Sequence, residues 1–177
     1  WRYIGAMVEV PAFVYENYWG GDSCPELPAL HRKLKAVGFD NRQIEDALLW
    51  LEELKSATRR LHGLHHAVPS TDLPRHTSLE SGQTSLRPHA MRLFTASEQD
   101  RLGTPGWGFL SFLVSIGALA PDRLELVMDR TLATPGNPVS MDDLKLIVLM
   151  VFWSLGEEPD PLVLDELCDN RTERWAN

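Results

Sequence analysis

Ser140-Met141-Asp142-Asp143-Leu144-Lys145-Leu146-Ile147-Val148-Leu149-Met150-Val151-Phe152-Trp153 is the stretch on which the fold turns. Residues Ser140 to Asp143 can cap a helix start. Beyond them, Leu144, Ile147, Val148, Val151 and Phe152 recur at three and four residues, the spacing of one helical face, while Leu146, Leu149, Met150 and Trp153 fill the faces that a surface helix would keep polar. A helix apolar on nearly every side has to be surrounded by other elements. The run from Leu146 to Trp153 is too short to cross a bilayer, which takes about 20 residues. The stretch therefore predicts the central helix of the C-terminal lobe of a soluble, mainly α protein.

Working outward, the neighbouring segments supply its partners. Upstream, Pro121 opens a helix with Leu124, Val127, Met128 and Leu132 inward. Trp107 to Ile116, with Phe109, Leu110, Phe112, Leu113 and Ile116, reads as a buried helix ended at Gly117. Phe109, Phe112, Val148 and Phe152 should share its interior. Thr95-Ala96-Ser97-Glu98 is a capping box and predicts a short helix after it. Residues His89 to Phe94 alternate weakly, which predicts a minor β element near residues 89–95. Downstream, a short helix is expected around Leu162 to Leu167.

The N-terminal part has three apolar stripes of its own. Val10, Phe13, Val14 and Tyr18 form the first, with Pro11 expected in the opening turn. Leu27, Leu30, Leu34 and Val37 form the second, stopped at Gly38. Asp40, with Gln43 three residues on, caps the third, which carries Ile44, Ala47, Leu48, Leu51 and Leu54 inward. Tyr15, Tyr18, Trp19 and Trp50 should fill the same lobe. From Thr58 to about Pro88 the chain is rich in Ser, Thr, His, Pro and Gly and lacks an apolar period. The resulting division is an extension at 1–6, an N-terminal helical lobe at 7–57, a flexible connection at 58–88 and a C-terminal helical lobe at 89–177.

Composition narrows the functional classes. With 44% hydrophobic and 24% charged residues the chain of 177 residues can bury an ordinary core. Its net charge of −8 disfavours broad attachment to phosphate backbones or anionic lipid. No membrane partner is expected. Cys24 and Cys168 lie far apart, in no CxxC spacing, which fits a reducing compartment and a cytoplasmic protein.

No constellation carries recognisable chemistry. Leu34, Gly38 and Ile44 have the outline of a helix-turn-helix, but the second helix bears Arg42, Glu45, Asp46, Glu52, Glu53 and Lys55, a net negative surface that phosphate would repel. His62, His65 and His66 sit beside Gly63 in what reads as loop, without a closed set of metal ligands. GxSxG, GxxxxGK[ST] and GxGxxG are all absent, and Gly103 to Gly108 reads as the turn opening a helix. The expectation is no catalytic residue, no cofactor and no metal. Glu45 and Glu52, almost two turns apart on one helix face, together with the neighbours Asp129 and Arg130, are the candidate partner-binding residues.

Several of these segments, taken in order, resemble the Smg family. The resemblance runs through Val14-Tyr15-Glu16-Asn17-Tyr18, Gly38-Phe39, Ala47-Leu48-Leu49-Trp50-Leu51, Arg92-Leu93-Phe94 and Gly108-Phe109-Leu110-Ser111-Phe112-Leu113. It continues in Val127-Met128-Asp129-Arg130 and Asp143 to Val151. It implies a bacterial cytoplasmic protein and carries no catalytic residues with it. The reading that follows is a noncatalytic adaptor or regulator binding another, unidentified protein. The alternative is a nucleic-acid-associated helix-turn-helix protein.

Overall fold

The computed structural model describes residues 6–18, 27–66 and 94–168. Among them the chain forms α1 (Ala6–Tyr18), α2 (Leu27–Val37), α3 (Asn41–His66), α4 (Ala96–Ser115), α5 (Pro121–Ala133), α6 (Met141–Leu155) and α7 (Pro161–Cys168), and no strand. The fold is mainly α. Residues 89–93 of the expected minor β element lie outside the described residues, and Phe94 and Thr95 lead into a helix instead.

Local sequence sets most helix ends. Ser140 Oγ accepts from the Asp143 backbone N–H at 3.1 Å, and Gly156 closes α6 in the left-handed conformation at φ 68°. Thr95 and Glu98 cap each other at the start of α4, Glu98 Oε2 accepting from the Thr95 N–H at 2.7 Å. Asp40 does the same for α3, its Oδ1 accepting from Arg42 N–H at 2.8 Å while Gln43 Oε1 accepts from its own N–H at 3.1 Å. Each such cap satisfies backbone donors that the first helical turn cannot. Within α4, Gly103 (φ 64°, ψ 171°) breaks the helical path, so the capped first turns and the apolar segment after Pro105 run in different directions.

The chain packs around α6. Eleven of its 15 residues are buried, Asp143 and Lys145 among them. Helices α1, α3, α4, α5 and α7 all lie against it, and α3 also packs on α1, α2 and α5. The stretches read from sequence as two lobes thus share one core: Val14, Leu34, Leu51 and Leu54 belong to the same buried cluster as Leu113, Val127, Leu149 and Val163. Buried side chains of this kind stabilise by about 1.5–3 kcal/mol each relative to exposure. Tyr15, Tyr18 and Trp50 are in that cluster as expected, while Trp19 lies outside the described residues.

Four expectations are corrected. Helix α3 does not end near residue 57 but continues through Gly63 to His66, so the first nine residues of the expected connection, and the histidines at 62, 65 and 66, are on helical backbone. Thr58 explains the continuation, being buried with its hydroxyl 2.7 Å from that of Ser154 on α6, so the helix still has a packing partner there. The rest of the connection, 67–88, lies outside the described residues, as do 1–5 of the expected extension; Ala6 opens α1. Pro11 consequently falls in the second turn of α1, where its missing N–H leaves a gap in the backbone ladder. Phe112 is 50% exposed rather than core, because α4 turns Phe109, Leu110 and Leu113 toward α5 and α6 and leaves its opposite side, with Ile116, open; Val37 at the end of α2 and Leu132 near the end of α5 are exposed too.

Candidate protein-binding face of α3

The inward stripe of α3, Ile44, Ala47, Trp50, Leu51 and Leu54, is buried, which leaves the opposite side of a 26-residue helix facing water. On that side Glu45 and Glu52 are exposed, and so are Asp46 and Glu53. At 100° per residue these four carboxylates surround Leu49, which lies four residues from Glu45, three from Asp46 and Glu52, and four from Glu53. Leu49 is 59% exposed, a large apolar side chain set in an acidic surround. The acidic surround is legible in the sequence, but Leu49 reads there as one more apolar residue of a Leu-Leu-Trp-Leu run. The signal that finds it is its angular position, nearly opposite the inward stripe.

Asp129 and Arg130 join this face in unequal ways. Arg130 is buried, and its guanidinium is committed to the protein: Nη1 donates to Glu53 Oε2 at 2.8 Å and to the Trp50 carbonyl at 3.3 Å, and Nη2 donates to Asp129 Oδ2 at 2.8 Å. Trp50 Nε1 returns a bond to the Arg130 carbonyl at 3.3 Å. Arg130 is therefore a fastener between α5 and α3, with little of its side chain at the surface. It brings Asp129, whose side chain is 61% exposed, beside Glu53, so α5 adds a fifth carboxylate to the α3 face. Fixed carboxylates around an apolar knob can steer and orient a cationic surface while the knob excludes water on contact.

Two further cations in or beside the core, Lys145 and Arg123, are paired. Lys145 donates to the Glu166 carbonyl at 2.7 Å and to its carboxylate at 3.0 Å, tying α6 to α7. Arg123 donates to Glu157 at 2.8 Å. Asp143 has no such cation among the described residues: burial raises its carboxyl above the ordinary value, and a hydrogen bond with Ser140 opposes the shift. Among the described residues no cluster of His, Cys, Asp and Glu is placed to hold a metal ion, and no helix is long and apolar enough to cross a membrane.

One basic surface escaped the sequence reading. Helix α2 carries Arg32, Lys33 and Lys35 beside His31 and no acidic residue, a signal visible as a run of four basic or titratable residues in five. Lys33 is engaged with Tyr18, donating to its hydroxyl at 3.0 Å. Arg32 and Lys35 are exposed, as is Arg42 across the turn at Gly38 (φ 107°).

Comparison with known proteins supplies the lineage. The chain is similar to "Protein Smg homolog" of Methylibium petroleiphilum, 47% identical over 91% of this chain and 93% of that protein. It is similar also to the proteins of that name from Leptothrix cholodnii (43%, over 95% and 98%) and Bordetella pertussis (38%, over 95% and 98%). No solved structure matches. The family described as "Protein of unknown function (DUF494)" matches residues 7–176, and with these relatives covering nearly its whole length, the chain belongs to the Smg family.

Proposed function

We propose that the protein is a noncatalytic adaptor or regulator, acting in the cytoplasm, that binds another protein through the exposed face of α3. The observation that carries this reading is Leu49, 59% exposed and surrounded by Glu45, Asp46, Glu52 and Glu53 on a helix whose opposite face is locked into the core. The partner it fits presents an apolar pocket rimmed by Lys and Arg. In that complex the carboxylates set the encounter rate and orientation, and Leu49 supplies the dehydrated contact.

The test is capture from cell extract treated with nuclease, followed by binding measurements on the captured protein over a salt series. Glu45→Lys with Glu52→Lys should slow association most at low salt, and Leu49→Ala should speed dissociation, both without loss of thermal stability. A partner that binds the charge-reversed protein and Leu49→Ala as well as the original would overturn the reading.

A second reading rests on α2. Arg32, Lys35 and Arg42 gather positive charge at the turn into α3, whose first residues Asn41, Arg42 and Gln43 are of types that contact base edges. Here the alternative of a nucleic-acid-associated helix-turn-helix protein has its support. It requires duplex binding that falls with salt and is lost with Arg32→Ala and Arg42→Ala. On this reading Glu45→Lys with Glu52→Lys strengthens nonspecific binding.

A further inference from the structure

Beyond Leu49 the outer side of α3 changes sign. From Gln43 to Glu53 the helix holds no Lys or Arg, and from Lys55 to His66 it holds no Asp or Glu. At 100° per residue, Glu45, Leu49, Glu52, Ser56, Arg59 and Gly63, all exposed, fall within an arc of about 80° on the side opposite buried Leu54. They follow one another at four and three residues, the spacing at which a helix keeps a single seam against a second helix along its length. Arg59 and its neighbour Arg60 are exposed and pair with no carboxylate among the described residues. At Gly63 an added Cβ would meet nothing within 4 Å. With Ser56 it makes the low part of the seam, and Leu49 stands above it as an apolar knob.

We infer that this seam takes one helix of the partner protein, laid antiparallel to α3, acidic in its N-terminal half and basic in its C-terminal half. The inference rests on the adaptor reading and extends it from the acidic half of α3 to the whole helix. Charge selects the occupant. Glu45 and Glu52 call for cations opposite them, Arg59 and Arg60 for anions, so a uniformly basic surface is repelled at one end of the seam and a nucleic acid or anionic lipid at the other. The helix dipole selects the direction. Carboxylates toward the N-terminus and cations toward the C-terminus are the stabilising order within any helix, and a helix of that order matches both halves of α3 only when it runs the opposite way. The seam from Glu45 to Gly63 is about 27 Å long at 1.5 Å per residue, room for about five turns of such a helix. A second copy of the chain would bring the same charge order, but its net charge of −8 would meet another −8, which leaves a neutral or basic protein as the better occupant.

Two synthetic helical peptides of equal composition, each about three heptads long, are the probes: one has Glu in its first half and Lys in its second, the other has the same charges alternating. Fluorescence anisotropy with the full chain at low salt should show the first binding about tenfold more tightly. Arg59→Glu with Arg60→Glu should remove that advantage while the far-UV spectrum stays unchanged. A spin label at the amino end of the first peptide should broaden amide signals near Arg59 and spare those near Glu45. Equal affinity for the two peptides, or a label that lies beside Glu45, overturns the inference. The captured partner separates this inference from the reading beneath it. Binding weakened by Glu45→Lys with Glu52→Lys and by Leu49→Ala, yet untouched by Arg59→Glu with Arg60→Glu, overturns the antiparallel helix alone, whereas indifference to all of these substitutions overturns the adaptor reading with it. A dimer in sedimentation equilibrium that is lost in Arg59→Glu with Arg60→Glu would make a second copy the occupant and overturn the choice of partner.

Discussion

Arg130 brings a full charge into the interior, with 8% of its side chain exposed, while its two carboxylate partners stay half in water at 50% and 61%. The asymmetry decides which substitution is costly. Arg130→Met removes the buried cation, keeps most of its volume and leaves Glu53 and Asp129 free to hydrate, so the loss should be about 1–2 kcal/mol, mainly of hydrogen bonds. Glu53→Ala with Asp129→Ala leaves the guanidinium buried with only the Trp50 carbonyl, and about 2–4 kcal/mol is expected. Urea denaturation with an unchanged m-value checks both, and a larger loss for Arg130→Met would show that water reaches the guanidinium freely. Asp143 works the other way. Its carboxyl is raised above the usual range by burial, so the folded protein holds that proton more tightly than the unfolded chain. This contribution to stability is fully present below the unfolded pKa and is lost as pH rises through the folded one. Asp143→Asn should therefore flatten the decline of Tm just above the ordinary carboxylate range. An identical pH profile for the two proteins would mean that Asp143 titrates alike in both states.

At the scale of the helix, α4 holds the sharpest contrast. Phe109 and Phe112 are three residues apart in one apolar segment, and the sequence presents them as equals. The first is 8% exposed and the second 50%. Phe109→Ala should cost about 3–5 kcal/mol, through lost burial and the cavity left beside Lys145, whose ammonium lies 5.8 Å from the ring centre. Phe112→Ala, measured by urea denaturation, should cost under about 1 kcal/mol. Gly103→Ala should cost about 1–3 kcal/mol, since φ 64° with ψ 171° is a region side chains avoid and the new Cβ would lie 3.4 Å from Pro138. What was legible follows the same line. Caps at Asp40, Thr95 and Ser140 are local chemistry, so sequence located them, and α6 declared itself because it is apolar all round. Apolar periodicity says which residues would like burial but not whether a neighbour arrives to cover them. It therefore misplaced Phe112, Ile116, Leu132 and Val37 and overlooked Leu49. The end of α3 was missed for the converse reason: the inward stripe goes on through Thr58, buried and bonded to Ser154, to Leu61, half-buried against the core, but with a polar residue where apolar periodicity looks for an apolar one. Glu45 and Glu52 were legible as an exposed pair, whereas the burial of Arg130 depends on Trp50, 80 residues away.

For the molecule as a whole, the question is whether the N-terminal helices and the C-terminal ones melt together. Sequence offers a division at the connection 58–88, and a chain so divided could lose one lobe before the other. The contacts argue against independence. Trp50 and Arg130 exchange two backbone-directed hydrogen bonds between α3 and α5, Thr58 meets Ser154 between α3 and α6, and Trp153 Nε1 donates to the Tyr18 carbonyl at 3.4 Å between α6 and α1. Around these polar ties lies a single apolar cluster to which α1, α2, α3, α4, α5, α6 and α7 all contribute, so α6 cannot stay folded while α1 and α3 leave it exposed. Burial lost at that boundary is charged to both sides, and a half-folded state gains chain entropy while exposing the most apolar helix in the protein. One cooperative transition is expected, with calorimetric and van't Hoff enthalpies equal and with tryptophan fluorescence and far-UV signals changing together. Leu54→Ala, in the N-terminal half, should lower hydrogen-exchange protection in α6 as much as in α3, because both then open through the same global unfolding. Two resolved transitions, or protection lost in α3 and retained in α6, would restore the two-lobe division and make the shared core a docking surface between separately stable units.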